Sequence, residues 1–372
     1  MKYTRKGAKL SKALAAGLAL FFGLLVFTLE REAPSALEQA PRSSSQEAQG
    51  LAADLVPGDS VSSKRDNAFS QEEISREQGS SGPYLLGNTS SSTPRRVVSL
   101  SPALTEVVIA LGAAQRLVGV TRFCDDPKVS EIDRIGGFLD PSLEAILSTA
   151  PDLIVAEPSP GNRDAVLQLA KLDFAVLVIP HGGVAEMRAA LLAVSEHLGV
   201  PERGRSLLES FDQSIEEVRR AAASKPVRRA ALIYGRDPLV LAGPGSFGNE
   251  LLTMAGGENI ANNSKVPYAN YPLELLVAKA PEVVIETPMT AGEDKKPLLL
   301  HESTRHVVVS GDALLRPSPA LADAARMLLF ALHPGIDMEE DVSRSSWRPH
   351  GSTQETTAIS SKTTSRASEK SP

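Results

Sequence analysis

The chain has 372 residues, a formal net charge of −6 and an aromatic content of 4%. Nucleic-acid-binding proteins usually carry a strongly basic face, so this acidic balance argues against that class. A single cysteine, Cys124, excludes an internal disulfide and a zinc site built from cysteines.

The first 30 residues are typical of an export signal. Five basic residues occur among the first twelve, and an apolar or small-residue run from 13 to 29 precedes Glu30. This run is long for the core of a cleaved signal peptide and short for a membrane span, so both a signal peptide and a retained anchor stay open. Either one predicts a periplasmic or extracytoplasmic location, and a retained anchor at 13–29 would tether the protein to the inner membrane.

Polar, low-complexity sequence flanks the central part of the chain. Residues 31–94 are rich in Ser, Gln, Glu, Ala and Gly, and residues 336–372 are similarly polar. Such sequences cannot bury enough apolar surface to fold, so we expect a disordered linker and a disordered tail. The remaining sequence predicts an N-terminal α/β lobe over 95–200, a connecting long helix over 201–226 and a C-terminal α/β lobe over 227–335.

Strands and helices alternate along the first lobe. Ser101-Pro102 starts its first helix, with a capping serine and a proline at the first helical position. The predicted strands are 95–100, 117–121, 152–156 and 175–179, and the predicted helices are 101–111, 141–149, 162–172 and 184–198. This alternation predicts a parallel sheet covered by helices.

The alternation pauses and then resumes in the second lobe. Residues 202–223 are charged, amphipathic and free of Gly and Pro after Gly204, which predicts one long helix. Strands are expected at 229–234, 282–286 and 306–310, and helices at 247–255, 272–280 and 318–332.

The two lobes repeat a sequence pattern at a spacing of 130 residues. Leu143-Glu144, followed by Pro151-Asp152 and an apolar strand, recurs as Leu273-Glu274, followed by Pro281-Glu282 and an apolar strand. Solenoid repeats have much shorter periods, so the pattern indicates two duplicated lobes. Two lobes joined by one helix predict a cleft between them, where ligands are commonly bound.

Most candidates for catalysis or metal binding have simpler structural explanations. The segment from Gly243 to Gly248 matches a dinucleotide-binding fingerprint, but a tight turn before a helix explains it equally well. The histidines His181, His306 and His333 lack the spacing of a zinc pair, so we predict no metal site. Carboxylates flank Cys124 and disfavour its thiolate, so we expect a packed side chain there, not a nucleophile.

Glu144 and Glu274 are the most informative acids. Each is predicted in the first turn of a helix, where the helix dipole favours a carboxylate in any protein. The repeat nevertheless places one acid on the equivalent surface of each lobe. Such a pair suits docking onto a two-fold partner that carries basic residues.

Five segments of the chain resemble the cobalamin-binding periplasmic proteins of ABC importers, a class that also includes haem and ferric-siderophore receptors. They are 95–113, 117–127, 135–157, 256–268 and 311–319. The resemblance implies two lobes joined by a long helix, a shallow cleft and delivery of the ligand to a dimeric permease. It also implies that Glu144 and Glu274 pair with arginines of that permease.

The same resemblance indicates a ligand site. Aromatic side chains line the cleft in this family, and the matching positions hold Phe123, Phe138, Tyr234 and Tyr268. Asp312 and Arg316 match polar ligand contacts. Two tryptophans of the family are replaced by Glu157 and Ala313, which keeps haem and siderophores open as ligands.

The sequence therefore predicts a monomeric, non-enzymatic, extracytoplasmic solute-binding protein of an ABC importer. Its ligand would be cobalamin or a related corrinoid, and it would need no cofactor and bind no nucleic acid. The alternatives are a haem or ferric-siderophore binding protein of the same class, or a membrane-tethered sensor or scaffold that retains the fold. A dehydrogenase that uses Gly243 to Gly248 is the least favoured.

Overall fold

The computed structural model describes residues 82–88, 92–180, 182–287, 290, 298, 300–309 and 312–336. The predicted export signal, nearly all of the predicted tail, most of the predicted linker and His181 lie outside these residues. Within the described ranges, no helix combines the length and apolar character needed to cross a membrane.

The first lobe is built on a six-stranded sheet in the order β1-β6-β5-β2-β3-β4. Its strands are β1 (Tyr84–Leu86), β2 (Val97–Ser99), β3 (Leu117–Val120), β4 (Asp133–Arg134), β5 (Leu153–Ala156) and β6 (Val176–Val178). All neighbours are parallel except β1, which pairs antiparallel with β6. The prediction of disorder over 31–94 is therefore wrong at 84–86, where a three-residue strand pairs with residues 90 to 94 positions further along the chain.

Helices of the first lobe follow the predicted order. They are α1 (Pro102–Ala110), α2 (Leu143–Ser148), α3 (Arg163–Lys171) and α4 (Val184–His197). Ser101 caps α1 by accepting a hydrogen bond from the Leu104 N–H at 3.4 Å. The helix α2 begins at Leu143 and not at 141 as expected, because Ser142 is its cap.

The long helix α5 (Pro201–Ala223) connects the lobes as predicted. Phe211, Ile215, Val218 and Ala222 recur every three or four residues, so they form one apolar face. That face belongs to a single hydrophobic core that includes Leu191 of the first lobe and Leu328 of the second. The lobes cannot move apart along α5 without exposing this core to water.

The second lobe contains a mixed sheet in the order β10-β8-β7-β11-β12, with β9 also paired to β7. Its strands are β7 (Arg228–Arg236), β8 (Leu239–Ala242), β9 (Gly257–Asn259), β10 (Tyr268–Asn270), β11 (Val283–Glu286) and β12 (Arg305–Val308), and its helices are α6 (Phe247–Met254), α7 (Leu273–Lys279) and α8 (Leu321–Leu332).

Antiparallel pairing of the strands β8 and β10 makes this sheet differ from the all-parallel sheet that the sequence predicted. β7 and β8 form an antiparallel hairpin across Asp237-Pro238, and β10 pairs antiparallel with β8. The strands β8, β9 and β10 are only three or four residues long, and propensity alone did not separate them from loops. The class α/β with two lobes and a connecting helix is confirmed, with the correction that both sheets are mixed.

Candidate functional site

Arg316 joins the two lobes through a network of ion pairs. It precedes α8 in the second lobe, and its Nε donates to Glu106 Oε1 on α1 of the first lobe at 2.6 Å. Its Nη2 lies 3.3 Å from Asp125 Oδ1, in the loop after β3. The side chains of Arg316 and Glu106 are 14% and 25% exposed, so water screens this pair weakly, whereas the 38% exposed Asp125 is screened more.

The charges around Arg316 perturb one another. Burial raises the pKa of the Asp312 carboxyl, the Arg316 charge opposes this effect, and Asp125 adds to it. Burial lowers the pKa of Arg316, but Glu106, Asp125 and Asp312 outweigh burial and raise it. The structure thus brings the two predicted polar contacts, Asp312 and Arg316, to one place where the lobes meet.

A second contact between the lobes lies at the start of α4. Glu250 on α6 accepts a hydrogen bond from the Val184 N–H at 3.1 Å. Glu186 accepts from the Gly183 N–H at 2.9 Å, so two carboxylates satisfy free amides of the helix N-terminus. Gly183 permits the approach, because a methyl group there would lie 1.6 Å from Glu250 Oε2.

Phe123 and Phe138 lie on two linked loops of the first lobe. Phe123 follows β3 and Phe138 follows β4, and both rings are partly buried. The Arg122 N–H donates to Gly136 at 2.8 Å, and the Arg122 guanidinium pairs with Asp140 at 2.8 Å. That guanidinium also lies 4.8 Å from the centre of the Phe123 ring. Carboxyl ends of parallel strands share one edge of a sheet, where ligands commonly bind, so the position suits the predicted role.

Tyr234 and Tyr268 occupy a different environment. Their rings are 5.4 Å apart, edge to face, and Phe247 packs against Tyr234 at 6.0 Å. The two tyrosines are only 3% and 6% exposed, and burial raises the pKa of both hydroxyls. Both rings belong to the apolar core, in contrast to the open stacking surface expected from the sequence. As ligand contacts they remain predictions.

Glu144 and Glu274 lie at the second position of α2 and α7 and are exposed. Three residues further, Leu147 and Val277 are 40% and 38% exposed on the same helix faces. Each helix therefore presents an acid beside an apolar side chain. We name these exposed faces, formed by Glu144 with Leu147 and by Glu274 with Val277, the paired helix faces.

One arginine in each lobe fixes the end of each of these helices: Arg96 directly precedes β2, and Arg229 lies on β7. The Arg96 Nε donates to the carbonyls of Thr149 and Ala150, both at 3.0 Å. In the second lobe, Arg229 donates in the same way to the carbonyls of Lys279 and Ala280. The duplication thus extends from sequence into hydrogen bonding.

The backbone beyond these helices also repeats. Ala150 and Ala280 have positive φ values of 44° and 43°, an uncommon conformation for a residue other than glycine. Asp152 then accepts from the Arg96 N–H at 2.9 Å, and Glu282 accepts from the Arg229 N–H at 3.2 Å. Four hydrogen-bonded positions in one lobe therefore have structural equivalents in the other.

The remaining candidates take structural roles. Gly245 has a φ of 85° in the turn before α6, and Ser246 caps that helix by accepting from the Asn249 N–H at 3.1 Å. Cys124 is buried 3.2 Å from the hydroxyls of both Thr105 and Thr121, and burial raises the pKa of its thiol. The described ranges contain no cluster of three or more histidine, cysteine or acidic side chains suited to a metal ion.

Glu106, Asp125, Glu250 and Gly183 were not predicted from the sequence. The partners of Glu106 and Glu250 lie 210 and 66 residues away along the chain. Glu250 lies on an amphipathic helix, where a polar residue is ordinary. Glu106 is the one charged residue of the largely apolar α1, and that contrast is the signal that could have identified it.

The pattern of a family described as periplasmic binding protein matches residues 97–306. A vitamin B12-binding protein of Vibrio cholerae is 26% identical over 240 residues, covering 63% of this chain and 87% of its own. Its counterpart in Salmonella typhimurium is 28% identical over 244 residues, covering 64% and 90%.

Solved structures with the same fold include two with different ligands in their names. The periplasmic vitamin B12 binding protein BtuF of Vibrio cholerae superposes with a TM-score of 0.59 at 25% identity, covering 64% of this chain and 97% of its own. The periplasmic heme-binding protein BhuT, in complex with two hemes, gives 0.55 at 26% identity, covering 64% and 98%.

Proposed function

Since the chain belongs to the periplasmic binding protein family, we propose that it captures cobalamin or a related corrinoid between its lobes and delivers it to the dimeric permease of an ABC importer. A member of this family is a binding protein and not an enzyme, which confirms that part of the sequence prediction. The proposed location is the periplasm or the extracytoplasmic face of the membrane.

The observation that carries the proposal is the repetition of the paired helix faces. Each lobe exposes one acid, Glu144 or Glu274, on a helix fixed by an equivalent arginine. A partner with two identical basic surfaces could contact both at once. Carboxylates and arginines form directional, charge-assisted pairs, which suits docking on the arginines of a permease dimer.

Relatives support the choice of corrinoid. The proteins from Vibrio cholerae and Salmonella typhimurium are named for vitamin B12 binding. The proposed ligand contacts are Phe123 and Phe138 on the loops of the first lobe, Tyr234 and Tyr268 in the second, and Asp312 with Arg316 where the lobes meet. Aromatic rings suit the largely apolar faces of a macrocycle.

Haem is the second candidate ligand. The observation that favours it is the similarity to a heme-binding protein at 26% identity, comparable to that of the B12-binding relatives. Glu157 and Ala313 also replace two tryptophans of the cobalamin-binding proteins that the sequence resembles, which removes stacking area for a corrinoid. Ferric siderophores belong to the same alternative.

Ligand titration tests the first half of the proposal. We expect the absorption spectra of cyanocobalamin or dicyanocobinamide to change on addition of the protein, saturating at one ligand per chain. Saturation by haemin alone would favour the second candidate. The absence of binding to all three compounds contradicts the corrinoid and haem proposals together.

Charge reversal tests the second half. In proteoliposomes that contain a cobalamin permease with its ATPase subunits, we expect the Glu144→Lys and Glu274→Lys double variant to lose stimulation of ATP hydrolysis. The matched control reverses the exposed Glu209 and Glu216 of α5. A loss of ligand affinity in the first variant, without a loss of stimulation, would place these acids in the ligand site.

A further inference from the structure

Arg316 has only part of its hydrogen-bonding capacity satisfied. Its Nε donates to Glu106 at 2.6 Å and its Nη2 to Asp125 at 3.3 Å. The third nitrogen, Nη1, is buried and has no acceptor among the described residues. A buried donor without a partner is unfavourable, so a ligand that supplies an acceptor here would remove that penalty.

The charge of Arg316 is already more than balanced. Two carboxylates from the first lobe contact it, and Asp312 of its own loop lies within electrostatic range. Glu106 and Asp125 therefore leave the Nη1 donor in a region of excess negative charge. An uncharged acceptor placed against Nη1 would satisfy this donor without adding charge, whereas a carboxylate is repelled by both acids.

We propose that Glu106 and Asp125 determine ligand specificity by charge: they neutralise Arg316 across the lobes, so that this position accepts an amide carbonyl and rejects a carboxylate. The inference rests on the proposed function, because it assumes that the ligand binds where the lobes meet. Its consequence is a preference for a neutral or cationic macrocycle with amide side arms over one with acidic side arms.

Repulsion by Glu106 and Asp125 weakens the binding of a macrocycle with acidic side arms. It does so independently of the contacts that stabilise a bound macrocycle with amide side arms. Corrinoids carry amide arms, and haem carries two propionates. Both are flat macrocycles that aromatic rings accommodate, so Phe123 and Phe138 do not distinguish them. The ion pairs of Arg316 with Glu106 and Asp125 supply a distinction that stacking cannot.

Matched probes isolate this effect. The monocarboxylic acid derivatives of cyanocobalamin differ from the parent by one amide converted to a carboxylate. We expect at least one isomer to bind the full chain about tenfold or more weakly than cyanocobalamin in low salt, which corresponds to about 1.4 kcal/mol. Added salt should narrow the difference, because ions screen partly exposed charges.

Variants assign the effect to the two acids. We expect Glu106→Gln and Asp125→Asn each to reduce the ratio of cyanocobalamin affinity to monocarboxylate affinity, and to increase haemin affinity. Glu209→Gln, at an exposed position on α5, should leave the ratio unchanged. The wild-type ratio requires no substitution, so it tests the inference even if a variant does not fold.

The possible outcomes distinguish a failure of charge selection from a failure of the proposed corrinoid binding. Equal or tighter binding of every monocarboxylate by the wild-type protein overturns charge selection but leaves corrinoid capture in place. An unchanged ratio in both folded variants overturns the assignment to Glu106 and Asp125. Failure of every corrinoid to bind overturns the inference and the corrinoid proposal together.

Discussion

Glu250 and Val184 form a hydrogen bond between the lobes, in which the carboxylate of α6 accepts from the first backbone amide of α4 at 3.1 Å. The contact exists only because Gly183 has no side chain. A methyl group at Gly183 would lie within 1.6 Å of the same carboxylate oxygen.

The substitution Gly183→Ala should therefore break this contact. A glutamate tip can swing aside, so we expect a modest destabilisation of about 1 kcal/mol from the lost hydrogen bond, measured by chemical unfolding. Gly82→Ala is the control, since no atom lies within 4 Å of a methyl group there.

A double-mutant cycle checks the cause of this loss. In the Glu250→Ala background, Gly183→Ala should have little further effect, because the clashing and bonded oxygen is already absent. If the losses of unfolding free energy from the two substitutions add fully, Gly183→Ala acts through another contact.

Arg96 and Arg229 should each stabilise the helix whose end they contact. Replacing either with methionine removes two or more hydrogen bonds to helix-terminal carbonyls, at an expected cost of about 2 kcal/mol in unfolding free energy. Hydrogen exchange gives the local readout: Arg96→Met should speed exchange in α2, and Arg229→Met in α7. The exposed Arg219 of α5 provides the control substitution, Arg219→Met. If either variant changed hydrogen exchange equally in α2 and α7, the two arginines would not have separate roles.

Glu286 should make stability rise with pH. Its side chain is fully buried and pairs with Arg236 and with His306, the latter at 2.8 Å. Burial raises the pKa of Glu286, but the hydrogen bonds from His306 and Arg236 outweigh burial and lower it. The folded state then binds its proton less readily than the unfolded state, so this stabilisation is present above about pH 4.3 and is lost as pH falls through the folded pKa.

Glu286→Gln should consequently cost about 3 kcal/mol at pH 7, since it removes this counter-charge from the largely buried Arg236 guanidinium. The difference from wild type should shrink in unfolding experiments at decreasing pH below about 4.3. Glu282→Gln, at a more exposed ion pair with Arg228, should have a smaller effect. A pH-independent difference would mean that packing, and not charge, explains the loss.

Asp323 should have the opposite pH dependence. Burial raises the pKa of this α8 carboxyl to about 6 from its ordinary 3.8, although the Arg326 charge opposes the shift. Between those values the folded state holds a proton that the unfolded state has lost, so stability falls as pH rises from about 4 to about 6. Asp323→Asn should remove this slope and stabilise the protein at pH 7 by up to about 3 kcal/mol. Destabilisation at pH 7 would indicate that the contact with Arg326 outweighs burial.

Much of the fold could be predicted because the relevant signals are local. The capping Ser101 and Pro102 mark the start of α1, and the run without glycine or proline after Gly204 predicts α5. The repeat of Leu143-Glu144 at Leu273-Glu274 predicted two equivalent helices, and the side chains of Glu144 and Glu274 on these helices are both exposed. Helix caps, helix periodicity and repeats depend on residues a few positions apart, so one sequence contains them in full.

Tertiary structure decided the features that depend on distant partners. The strands β1, β8 and β10 are short edge or hairpin strands that exist because a neighbouring strand satisfies their backbone. Tyr234 and Tyr268 became core residues because their rings pack on each other and Tyr234 also packs on Phe247. Packing, not local sequence, decides such positions.

The sequence by itself predicted an α/β chain with two similar lobes, a long connecting helix and an equivalent exposed acid, Glu144 or Glu274, on each lobe. Only the tertiary structure placed Glu106 and Asp125 on Arg316 and placed Glu250 on the start of α4. The physical reason is that an ion pair acts over a few ångströms in space. The separation of its partners along the chain, 210 residues for Glu106 and Arg316, leaves no local pattern to read.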